Sequence, residues 1–190
     1  MRIAASPRGD GGDGGDGWED DMFELKRIGI AAVPAALAKA ERYRLLNQPR
    51  QAESICLDVV HVDPRNQEAW TTLLLARTDQ FGRGYGVEIR QAREALEHLE
   101  GAYARAYYEG VLTERWGKSL LAGSAPRQVG CAWLRQAMGL FEKASAASPP
   151  GNDEALLRWN ACARLILYVE GTAAPADPGE REPFLDAPPA

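Results

Sequence analysis

YRLLNQPRQAESICLDVVHVDPRNQEAW, residues 43–70, decides how the rest of the chain is read. Ala52, Ile55, Cys56, Val59 and Val62 recur at helical spacing and make one apolar stripe. Asp63-Pro64 stops that helix, because proline has no N–H to donate and disfavours helical geometry in the residue before it. Asn66 is then placed to cap a further helix, whose first apolar anchor is Trp70, followed by Leu73 and Leu74. Upstream, Pro34 suits the first turn of a helix reaching about Asn47, and Asn47-Gln48-Pro49 turns the chain into the helix over 52–61. Helix, turn, helix, proline, helix is the layout of a helical repeat.

Downstream the pattern continues. The helix opened by Trp70 ends near Gln80, FGRGYG (81–86) is a glycine-rich break, and Ile89, Ala92, Leu96 and Leu99 share the next helical face. Gly101 is expected to be that helix's C-cap. Within AYARAYYEGVLTERWGKSLL, Tyr108, Val111, Leu112 and Arg115 repeat the spacing of Trp70, Leu73, Leu74 and Arg77. AGSAPRQVG (122–130) reads as a long loop, and Trp133, Ala137, Met138, Phe141 and Ala144 form the stripe after it. Beyond SPPGN (148–152), Asn152 or Asp153 caps a last helix with Leu156, Trp159, Ala163, Ile166 and Leu167 inward.

The 43–70 stretch resembles the tetratricopeptide repeat, a helix-turn-helix unit with apolar residues at fixed places and a proline near its end. With Pro64 set on that proline, Ala52, Tyr43 and Ala40 suit the family pattern, whereas Cys56 and Val59 replace its usual large aromatic and alanine. Ala137, Phe141, Ala144 and Pro149 carry the signature again in one register. The resemblance implies an all-α, right-handed α-solenoid of about three helix pairs over 34–169, closed by a C-terminal capping helix. The 81–86 and 122–130 segments depart from the family spacing.

Composition sets the frame around that array. The chain has 190 residues and a net charge of −5, placed unevenly: 1–25 carry −5 and 170–190 carry −4, leaving 26–169 at +4. Residues 1–21, Gly/Asp-rich, and 170–190, acidic and proline-rich, are expected to be disordered tails, with 22–33 a lead-in segment. Asp10, Asp13 and Asp16 recur every third residue, which is not the spacing of an EF-hand loop. No apolar run approaches the ~20 residues of a membrane span, and no secretory signal is read at the N-terminus. Cys56, Cys131 and Cys162 lack CxxC spacing, so reduced buried thiols and a cytoplasmic location are expected.

The residues offer little chemistry. His61 and His98 are the two histidines, and no Cys/His set has zinc-ligand spacing. GRGYG (82–86) and Gly117-Lys118-Ser119 lack the remainder of a P-loop. No enzyme activity, metal or cofactor is therefore expected. The resemblance implies instead an adaptor or scaffold binding a protein or peptide partner in a concave groove. Its lining would be Leu37, Glu41 and Arg44, then Thr71, Leu75 and Thr78, then Glu109, Thr113 and Trp116, with Trp116 as the main anchor. Leu37, Glu41, Ala106 and Gly110 stand where a chaperone carboxylate clamp would need asparagine and basic residues, so no such clamp is expected. The alternative is an RNA- or anion-binding module using Tyr103, Tyr107, Tyr108, Trp116 and Trp133 with Arg105, Arg115, Lys118 and Arg135.

Overall fold

A computed structural model describes residues 24–84, 86–87 and 89–171. The expected tail over 1–21 lies outside them, and so does that over 170–190 except Glu170 and Gly171, which are the last residues of a helix. After a short 3-10 turn, Ile30–Ala32, the described chain forms seven α-helices and no strand: α1 Val33–Leu45, α2 Pro49–Val62, α3 Gln67–Thr78, α4 Ile89–Glu97, α5 Ala102–Ala122, α6 Arg127–Ala146 and α7 Glu154–Gly171.

Local chemistry sets the boundaries. Pro34 and Pro49 occupy the first turns of α1 and α2, where a missing N–H costs nothing. Asn47, at φ 60, closes α1: its N–H donates to Arg44 O and the next N–H, of Gln48, to Tyr43 O, the two bonds of a Schellman end. Asn66 caps α3, its Oδ1 accepting from Ala69 N at 2.9 Å, while Trp70 Nε1 donates to Pro64 O at 2.8 Å. Asn152 Oδ1 accepts from Glu154 N at the start of α7.

Successive helices pack against one another along the chain, and α1 also touches α3, and α3 touches α5. Arg158 of α7 reaches α5 at Tyr107 Oη and Glu114 Oε2. The core runs through these interfaces, from Val33, Leu37 and Val59 at one end, past Ala52, Cys56, Leu73 and Leu74, to Val111, Leu134, Phe141 and Cys162.

Three expectations change. Gly101, at φ 84, does not end α4; it is the N-cap of α5, and its carbonyl accepts from Arg105 N. Only 123–126 of the expected 122–130 loop lies outside helices. Gly130 is helical because α5 and α6 cross closely: a Cβ there would sit 2.5 Å from Leu121 Cγ, and one on Gly117 would sit 3.1 Å from Gly130 O. Finally, α7 is rotated from the expected phase. Ile166 is buried as expected and Trp159 and Ala163 are half-buried, but Ala155 and Cys162 are buried as well, whereas Leu156 and Leu167 are 48% and 72% exposed. The buried Glu114 supplies the reason, since it requires the face of α7 that carries Arg158.

Candidate partner-binding face

The nine residues expected to line a groove divide by burial. Leu37, Thr78 and Thr113 are at most 4% exposed and belong to the interior. Their loss from any lining follows from the α1–α3–α5 contacts, which close over them. Leu75 is half-buried in the seam between two core clusters. Trp116 is not a free anchor either: it is half-buried, with its ring edge-on to Phe81 at a centroid separation of 5.1 Å and an interplanar angle of 84°. Glu41 is exposed, and Thr71, Glu109 and Arg44 are partly so.

Arg44 leads to a network that spacing did not reveal. Its Nε donates to Asp79 Oδ2 at 2.9 Å. Asp79, at the C-cap of α3, also accepts from Arg115 of α5, whose Nη1 donates in addition to Thr78 Oγ1 at 2.7 Å and Leu75 O at 3.2 Å. One residue before Arg115, Glu114 is buried and accepts from Lys118 and from Arg158 of α7, the latter at 2.8 Å. Charged side chains thus tie α1 and α5 to the end of α3 through Asp79, and α7 to α5 through Glu114. Burial pushes the Arg115 guanidinium below its ordinary value; Arg44 and Arg158 repel it further, and Asp79 and Glu114 act the other way.

Of this network, Arg44, Arg115 and Lys118 stand out in the sequence as candidate contacts, and Asp79, Glu114 and Arg158 do not. Glu114 did carry a signal: it stands at helical spacing from Gly110, Val111 and Gly117, all buried, and an acid on such a face needs a partner. Asp79 carried none, being a polar residue at a helix end.

The repeated arginine spacing has two outcomes. Val111 and Leu112 are buried as Leu73 and Leu74 are, but Arg115 bonds α3 whereas Arg77 bonds Glu53 of α2 at 2.9 Å and Gln91 O of α4. His98 is spent on structure, stacked on Trp70 at 3.8 Å. Gly117-Lys118-Ser119 lies within α5, where the backbone N–H groups bond the preceding turn.

Among the described residues no group of three or more His, Cys, Asp or Glu is placed to hold a metal ion, and no helix is long and apolar enough to cross a membrane. All three cysteines are buried and unpaired by disulfides, with burial pushing Cys56 up to about 12 and Cys162 up to about 11. No family model matches the chain, and neither a curated protein nor a solved structure matches it.

Proposed function

We propose that the chain is a non-enzymatic protein-interaction module: a right-handed solenoid of three tetratricopeptide-like pairs, α1–α2, α3–α4 and α5–α6, capped by α7. It holds a peptide or protein segment along the face of its odd-numbered helices and works in the cytoplasm. One observation carries this reading. α1 touches α3 and α3 touches α5, whereas among the described residues no even-numbered pair makes contact of that extent. In a curved stack the inner helices converge and the outer ones splay, so the odd helices form the concave side. The aromatic residues of α5 weigh against nucleic acid, because Tyr107 is buried and Tyr103 gives one face of its half-buried ring to Tyr107.

The test is affinity capture from native lysate with two variants of the full chain. Glu41→Arg with Thr71→Arg alters the odd-helix face; Arg93→Glu with Gln136→Arg alters exposed positions on α4 and α6. A set of proteins lost with the first pair and kept with the second is expected. Equal recovery by both sinks the assignment.

A further inference from the structure

Resting on that reading, we infer that the partner segment is acidic and docks at the C-terminal end of α3 and α5. The inference stands on a charge imbalance held in place by the fold. Two carboxylates serve four cations: Asp79 is shared by Arg44 and Arg115, and Glu114 by Lys118 and Arg158. Both acids are fully engaged, and two formal positive charges remain, offset only in part by the C-terminal carbonyls of α3, of which Arg115 reaches Leu75 O. A fifth cation stands beside them. Arg83 donates to the neutral Asn47 Oδ1 at 2.6 Å and lines the same cleft of about 310 Å³ as Thr78, Asp79, Phe81, Arg115 and Lys118.

Two of the four cations are held largely out of solvent. The side chains of Arg44 and Arg115 are 20% and 24% exposed, so screening between them is weak and an incoming carboxylate meets an underused field. The repulsion that Arg44 and Arg158 exert on Arg115 is relieved by such a group. Arg83 and Lys118 are the exposed cations at the cleft mouth, and Arg83 lies on the turn in which Gly82 and Gly84 take φ of 72 and 76. The cations cluster at one end of two helices instead of forming a track, which favours a short acidic peptide over a polynucleotide.

Selection from a displayed library of random 12-residue peptides on the full-length chain tests this. The expected result is enrichment of peptides rich in Asp and Glu, with affinity for a labelled winner falling tenfold or more in Arg83→Glu with Lys118→Glu. Replacing the winner's acids by Asn and Gln is expected to weaken it as much. Enriched peptides of neutral or basic charge that are lost in Glu41→Arg with Thr71→Arg would overturn the acidic assignment while leaving the odd-helix face as the binding surface. Enrichment unaffected by that pair would overturn both. Tighter binding of a single-stranded dT12 oligonucleotide than of any peptide would replace the partner by nucleic acid. Carbodiimide crosslinks from Lys118 to carboxylates of residues 172–190 in the free chain would put the chain's own segment there. A salt-sensitive dimer lost in Arg83→Glu would put a second copy there. Either result also overturns the inference.

Discussion

Gly110 shows how much a single missing methyl decides in this molecule. A Cβ there would sit 2.6 Å from Cε1 of Phe141, a ring with no solvent exposure and no room to turn away. Gly110→Ala is therefore expected to lower stability by about 1–3 kcal/mol through overpacking, read as a fall in the thermal midpoint. Gly139, on α6, has nothing within 4 Å of the same position, so Gly139→Ala should raise stability by about 0.5–1 kcal/mol from helix propensity alone. The pair separates packing from propensity in one experiment. Buried thiols give a second prediction at this scale. Cys56 and Cys162 are raised in the folded chain from an ordinary value of 9.0 to about 12 and about 11. Their contribution is complete below pH 9.0 and is lost as pH climbs through that window, because the unfolded thiols ionise first. Wild type should accordingly lose more of its urea midpoint than Cys56→Ala between about pH 8 and about pH 10.5. Neither thiol should react with a thiol reagent at neutral pH until the chain unfolds.

At the scale of the element, α7 teaches most. Counting apolar residues turns Leu156 and Leu167 inward, because Leu outweighs Ala and Cys on any hydropathy scale. The helix instead buries Ala155, Cys162 and Ile166. A rule based on apolarity alone misses a buried acid on a different helix, and Glu114 is that acid. Removing its partner tests the explanation. Arg158→Ala leaves Glu114 with Lys118 alone and also takes a donor from Tyr107 Oη, so a loss of about 2 kcal/mol is expected from chemical denaturation. Arg158→Lys should recover part of that loss, whereas a helix oriented by its leucines would not distinguish the two. The misread 122–130 segment has a similar origin. Gly130 looks like a loop residue in the sequence, yet it serves the close approach of α6 to α5, and only the neighbour's position reveals this. By contrast, the ends of α1 and α2 and the start of α3 were legible, since Asn47 and Asn66 act through bonds to residues a few positions away and Pro49 and Pro64 through the donor they lack.

For the whole molecule, an all-helical chain was readable from the period of its apolar residues, whereas the packing of neighbouring helices in sequence was only what the repeat resemblance implied. The functional side was less so. Leu37, Thr78 and Thr113 were placed by repeat position, but which of a helix's flanks stays open depends on how tightly the next helix closes over it. The charged network was hidden because each of its bonds joins residues from different helices, as with Arg44 and Asp79 or Glu114 and Arg158.

The order of packing has a consequence in time as well as in space. Each helix finds its main neighbour next to it in the chain, before or after, across connections as brief as Leu46–Gln48 and Gly123–Pro126. Closing loops of that size costs little chain entropy, and contacts between sequence neighbours are the kind that make for quick folding. The α5–α6 hairpin, locked at Gly117 and Gly130, is the natural nucleus. Refolding should be rapid, and substitutions at that crossing should slow it, whereas substitutions near Val33 should chiefly hasten unfolding.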